Sequence, residues 1–241
     1  MIRTVIFAIA FVISLVITGL LLPLWYILGW LGLKSVQKTY GYLVSHLWAK
    51  FLLLFAGVHL TVKGRENIPR HGAALFISNH QGNFDIPVLF SSLNTPIGFL
   101  AKIELTKIPV ICQWMPLLGC VFIDRSNLRQ SVKAVQECVG VLKNGYSMVV
   151  FPEGTRSQGK QMGEFKKGSL RLVEKVDVPI VPVTVNNTYS ALEANNNRVR
   201  SANVTVVISP PINFKKLSEE DQANINNIVR EAIKRNLPLM E

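Results

Sequence analysis

From Thr4 to Leu33 the chain runs for 30 residues without a charge, more than the roughly 20 that a helix needs to cross a hydrocarbon core. Gly19, Pro23 and Gly29 interrupt this run, which is compatible with one tilted span ending near Leu22 or with a broken segment dipping into one leaflet. It exceeds the about 7–15 apolar residues of a secretory signal, and no small-residue cleavage site closes it, so retention is expected. In the next stretch, YGYLVSHLWAKFLLLFAGVHL, His46 and Lys50 stand four apart on one helix face. From there Lys50 can snorkel to headgroups, and the pattern predicts an amphipathic helix at the interface.

Beyond Lys63 the periodicity changes. Short β-type runs at 73–78, 97–101, 120–123, 147–151, 179–185 and 204–208 are separated by segments predicted helical at 86–93, 127–143, 164–176 and 218–236. The last has the clearest signature: Ser218 with Asp221 forms a capping box, and Ile225, Ile228, Val229 and Ile233 follow at helical spacing. The alternation predicts an α/β sheet flanked by helices. It divides the chain into a membrane-embedded and interfacial part, 1–62, and an α/β domain, 63–241.

Charge supports that division. Residues 1–63 hold Arg3, Lys34, Lys38, Lys50 and Lys63 and no acid, within a formal net charge of +11 for all 241 residues. A basic, apolar segment suits anionic membrane lipid. Nucleic acid is not an expected partner, because no basic stripe interleaved with aromatics occurs in the polar part. The weak excess of Lys34 and Lys38 over Arg3 around the first segment places the bulk of the chain in the cytoplasm. Cys112, Cys120 and Cys138 lack the close pairing of zinc ligands and read as reduced core residues. No metal or cofactor is expected.

The polar residues that follow each predicted strand are the candidate chemistry. Asn79, His80 and Asp85 follow the first, Lys102 ends the second, Asp124 and Arg125 end the third, and Pro152 to Arg156 follow the fourth. Open α/β sheets bind ligands at the carboxyl ends of their strands, so these groups are expected to converge on one cleft. His80 and Asp85, five apart, would point about 140° away from each other on a helix and need a bend to meet, for which Gly82 at positive φ is the candidate. The carboxylate would then hold one ring nitrogen and leave the other to accept a hydroxyl proton. Alternatively, Asp85 before Ile86 and Pro87 is an ordinary helix start.

In FPEGTRS, Glu153, Gly154, Thr155 and Arg156 form a loop where Arg can grip a phosphate and Gly lets backbone amides approach an anion; a solvated turn is the competing reading. GTRSQGKQ imitates a P-loop, yet has Gln161 where magnesium needs a hydroxyl. There is no G-x-S-x-G elbow, and the cysteines have no activating context, so a covalent intermediate is not indicated. Lys102, Arg125 and Arg156 together offer three cations, enough for a phosphate monoester.

These blocks form a set. NHQGNFD resembles the N-H-x-x-x-x-D block of the glycerolipid acyltransferases, GCVFIDR their second block, FPEGTRS the third and VPIVPV the fourth, in the family's order from residue 79 to 183. The resemblance is strongest to the bacterial 1-acylglycerol-3-phosphate acyltransferases. It implies an α/β fold with a mixed, mostly parallel sheet and an N-terminal membrane-anchoring helical segment. The implied reaction takes an acyl group from acyl carrier protein or coenzyme A to lysophosphatidic acid at the inner membrane. It further implies His80 as general base, Asp85 as its orienting partner, and Arg125, Glu153, Gly154 and Arg156 shaping the acceptor site. Lys102 or backbone amides would stabilise the oxyanion. The alternatives are an acyltransferase for another lyso-lipid and, from a different class, a non-catalytic anionic-lipid-binding protein.

Overall fold

A computed structural model describes residues 1–124, 127–166 and 168–238. The first apolar run is one helix, α1 (Ile2–Trp30), continuous through Pro23. A short turn leads into α2 (Lys34–Ala56), which Gly57 ends in the left-handed conformation, at φ 71°. The two helices form a hairpin: Gln37 donates to the Trp25 carbonyl, the Tyr40 hydroxyl to that of Leu21, Trp48 to the Ser14 hydroxyl and Arg3 to the Ala56 carbonyl.

Among the described residues seven strands follow: β1 (Val58–Lys63), β2 (Leu75–Ser78), β3 (Ile97–Lys102), β4 (Val121–Ile123), β5 (Ser147–Val150), β6 (Ile180–Asn186) and β7 (Ala202–Ile208). Their order in the sheet is β1-β7-β6-β2-β5-β3-β4, with only β6 and β7 antiparallel. The expectation of a mixed, mostly parallel sheet flanked by helices therefore holds. The helices are α3 (Asp85–Ser92), α4 (Ile111–Leu117), α5 (Leu128–Lys143), α6 (Glu219–Ala223) and α7 (Ile225–Lys234).

Central strands are buried on both faces, as parallel sheets with helices on either side require. In β2, Phe76 packs with α2 and α3 on one side, while Leu75 and Ile77 meet α5 and α7 on the other. From the latter two helices Ala134, Cys138 and Leu142, and Ile225, Val229 and Ile233, face the sheet at four-residue spacing. Ala49, Leu53 and Ala56 of α2 belong to the same core as Phe76 and Val181, so hairpin and α/β unit share one apolar layer.

Four expectations need correction. Residues 58–62, assigned to the N-terminal part with 58–60 in its interfacial stretch, belong to the edge strand β1; Val58, Leu60 and Val62 face inward and their neighbours outward. Residues 164–176 hold no α-helix among those described, only a 3-10 turn at Val173–Lys175. Gly168 sits at φ 82° there, and the amides of Gly163 and Lys166 bond the Glu153 carboxylate and the Pro152 carbonyl instead of a helical ladder. The helix expected at 218–236 divides at Asn224 into α6 and α7. α4 was not anticipated.

Candidate active site

Parallel neighbours bring their carboxyl ends to one edge, and β5, β2 and β6 are adjacent and mutually parallel at the sheet's centre. The loops after them therefore meet. β2 delivers residues 79–85, β5 delivers 151–158 and β6 delivers 187–193. The first two are joined backbone to backbone: Ser157 donates to the His80 carbonyl (2.8 Å) and Gln158 to that of Gln81 (3.0 Å).

His80 and Asp85 are in contact, with His80 Nδ1 2.6 Å from Asp85 Oδ2. Asp85 is the first residue of α3 and fully buried, but its side chain makes no cap for that helix. The carboxylate turns back: Oδ2 also accepts from the amides of Gln81 (2.6 Å) and Gly82 (2.9 Å), and Oδ1 accepts from the Thr188 hydroxyl. Four donors thus hold one carboxylate, which compensates for removing its charge from water. With Nδ1 facing a carboxylate, that nitrogen carries the proton, and Nε2 is left with its lone pair. The ring is 18% exposed, lies flat against Phe151 with centroids 4.0 Å apart, and lines the principal cavity.

Gly82 does not supply the bend by positive φ, as expected from the sequence; its φ lies outside that region. The space beside it is what matters. A Cβ at Gly82 would come within 2.5 Å of Glu193 Oε2. Glu193, 4% exposed, accepts from the Asn83 amide (2.8 Å) and stands 3.7 Å from the Arg156 guanidinium.

Glu153 is buried, with Oε1 accepting from the His80 amide (2.6 Å) and Oε2 from the Gly163 amide (2.7 Å). Burial raises its pKa, while the two amides and the nearby histidine oppose that rise. Its carboxylate is committed to the protein backbone and does not line the cavity. Gly154 takes φ 72° in the turn, Thr155 is exposed, and Gly154, Thr155 and Arg156 all border the cavity. Lys102 is at the rim, 64% exposed and paired with Glu104 at 2.8 Å. Arg125 lies outside the described residues.

The cavity, about 770 Å³, is lined by His80, Asn83, Lys102, Glu104 and Arg156 together with a larger set of apolar side chains. Phe7, Phe11 and Leu15 of α1, Trp48 and Leu52 of α2, and Phe90 and Trp114 form walls suited to an alkyl chain. Cys120 also borders it, but burial pushes its thiol up to about 12, and that of Cys138 likewise to about 12. Neither is a thiolate at neutral pH.

Sequence reasoning missed Thr188 and Glu193. Both lie in NNTYSALEANNNRVRS, which reads as a polar loop, although it follows a strand as the recognised blocks do.

A buried carboxylate orienting a histidine, in a cavity lined by Lys102, Arg156 and many apolar side chains, suits transfer of a fatty group to an acceptor bearing an anion. Residues 59–186, more than half of the chain, match the family model described as Acyltransferase, and the chain belongs to that family. It is accordingly an acyltransferase. It is 34% identical over 192 residues to a probable 1-acyl-sn-glycerol-3-phosphate acyltransferase of Mycoplasma pneumoniae, spanning 74% of this chain and 71% of that one. It is 30% identical to the 1-acyl-sn-glycerol-3-phosphate acyltransferase of Borreliella burgdorferi, over 82% and 79% of the two chains. Its fold superposes on the crystal structure of the 1-acyl-sn-glycerophosphate (LPA) acyltransferase PlsC from Thermotoga maritima with a TM-score of 0.84 at 29% identity, covering 98% of this chain and 95% of that one.

Proposed function

We propose that the protein transfers a fatty acyl group from an acyl carrier protein or coenzyme A thioester to the sn-2 hydroxyl of 1-acyl-sn-glycerol 3-phosphate, giving phosphatidic acid. The observation that carries this reading is that His80, held by Asp85, lines one cavity with Lys102, Arg156 and many apolar side chains. The named activities of the relatives point the same way.

In this reading, Arg156 takes the acceptor's phosphate, and the sn-2 hydroxyl comes to His80 Nε2. The ring removes the hydroxyl proton as the oxygen attacks the thioester carbonyl, and Asp85 stabilises the imidazolium formed. The tetrahedral intermediate then expels the thiolate, which recovers the proton from His80. A thioester is already activated, so no acyl-enzyme is needed; positioning and oxyanion stabilisation supply the rest. Lys102 is engaged with Glu104 at the rim and the Gly154 amide with the Phe151 carbonyl, which makes the amide of Thr155 or Arg156 the better candidate for the oxyanion.

Membrane attachment follows from the hairpin. α1 presents Val5, Ile9, Val12, Val16 and Leu20 outward, all more than half exposed. The same helix touches the α/β unit along its length: Thr4 accepts from the Val199 amide, the Thr18 carbonyl from Trp114, and Trp25 packs edge-on against Trp114. From Thr4 to Trp25 is about 30 Å of helix. A helix so bound cannot cross a bilayer without drawing the polar domain into it, which favours a hairpin embedded in one leaflet. The cytoplasmic leaflet is the one that the thioester donors can reach.

The test is direct. Purified protein is offered lysophosphatidic acid and other lyso-lipids with each acyl donor, and the product is read by mass. Phosphatidic acid is the expected product, and its absence with both donors overturns the reading. His80→Ala in folded protein should lower kcat by about 10²–10⁴; undiminished turnover would remove His80 from the role of base.

A further inference from the structure

A second cavity, about 520 Å³, lies where α2, β1 and the end of α3 meet, and it shares no lining residue with the first. His46 and Lys50 of α2 and Arg65, just after β1, converge on it, joined by Ser91 and Asn94, with no carboxylate among the lining residues. Among the described residues, neither Lys50 nor Arg65 is ion-paired. His46 is fixed by its Nδ1, which donates to the Phe90 carbonyl (3.0 Å), and keeps Nε2 for another partner. Ser91 is 6% exposed, lines the cavity, and has no side-chain hydrogen bond among the described residues.

The recess adjoins the apolar surface of the hairpin. Leu43, Leu47 and Leu54 are exposed and stand seven, three and four residues from Lys50, and so share its face of α2. An acyl chain lying along these leucines brings a headgroup to the level of Lys50. Cations drawn from two elements, with a hydroxyl and an amide between them, form a receptor for a tetrahedral anion rather than a diffuse positive surface. We propose that this recess binds the phosphate of a bilayer phospholipid, a non-catalytic headgroup site that fixes the tilt and depth at which the hairpin rests. The proposal depends on the membrane attachment set out above.

Full-length protein is mixed with neutral phosphatidylcholine vesicles and with vesicles in which one lipid in five is phosphatidic acid, and binding is read by co-sedimentation. The variants are K50A/R65A and, as a charge-matched control, K216A/K234A, whose exposed lysines lie by elements packed on the opposite face of the sheet. Wild type should bind the anionic vesicles about tenfold or more tightly than the neutral ones. K50A/R65A should lose most of that preference, keep its affinity for neutral vesicles and retain turnover on detergent-dispersed substrate; the control should keep the preference.

Equal losses in the two double variants would overturn the site in favour of diffuse attraction while leaving the membrane reading intact. Failure of wild type to bind either vesicle would overturn both. A second measurement follows the ring signals of His46 and His80 in micelles during titration with short-chain phosphatidic acid or inorganic phosphate. His46 should respond to the lipid in wild type and not in K50A/R65A. An equal response to inorganic phosphate at the same concentration would make this a free-anion site and overturn the proposal.

Discussion

The corner from Asn79 to Asp85 and the hairpin of α1 and α2 are built on opposite principles. In the corner, buried polar groups find several partners each: Asn79 bridges both the amide and carbonyl of Val185, and Asp85 takes four donors. A single atom out of place there leaves a donor stranded, at about 1–3 kcal/mol. The hairpin's outer surface is held by nothing specific; it is apolar along α1, and any apolar residue would serve. The first region tolerates almost no chemical change and the second almost any that stays apolar. Geometry fixes the corner, while solvent preference alone shapes the outer face of α1.

Substitutions can press on this contrast from both sides. The largest effect is expected from Asp85→Asn. Its amide oxygen can still accept from His80, Gln81 and Gly82 while its nitrogen faces Thr188, so the fold is kept and the imidazolium loses its counter-charge. Turnover should fall by about 10²–10⁴ with little change in Tm; a fall in Tm without the loss of turnover would give Asp85 a structural role only. Next, Val16→Asp on the outward face of α1 should weaken partitioning into neutral vesicles by up to about 3 kcal/mol, roughly a hundredfold. Turnover in detergent should be unaffected, and unchanged vesicle binding would deny α1 its role as anchor.

Thr188→Val removes the hydroxyl that steadies Asp85 Oδ1, with an expected loss of about tenfold in kcat and about 1 kcal/mol in stability, while KM for the acceptor stays constant. The smallest effect concerns the cysteines. At pH 8 Cys112, the least buried, should be alkylated first, with Cys120 and Cys138 protected until unfolding. Native stability should also decline as pH rises from the ordinary thiol value of 9.0 towards about 12, because the unfolded thiols lose their protons in that window while the buried ones retain theirs.

What could be read from the sequence follows the same divide. His80 and Asp85 are five residues apart, and their block and the apolar run before it sufficed to suggest both the pairing and the strand that presents it. Glu153 was read as a ligand of the acceptor. In the structure its carboxylate accepts from the amide of His80, 73 residues away, and no local pattern encodes that distance. Thr188 and Glu193 escaped for a similar reason, although their place after β6, at the same sheet edge as the other blocks, was the signal that would have found them. β1 was hidden by the apolar run before it; the left-handed Gly57 and the alternation of Val58, Leu60 and Val62 mark the change from helix to strand.

The contact between Gly82 and Glu193 ties the histories of two distant loops. A methyl group at position 82 would press on the Glu193 carboxylate and make it shift, and shortening residue 193 frees the space only by taking an acceptor from Asn83 and a neighbour from Arg156. A change at either position alone disturbs the carboxylate that the Asn83 amide and Arg156 share. Among descendants of this sequence the two should therefore change together or not at all, so that a loop with no recognisable motif inherits the constraint of the one that has it.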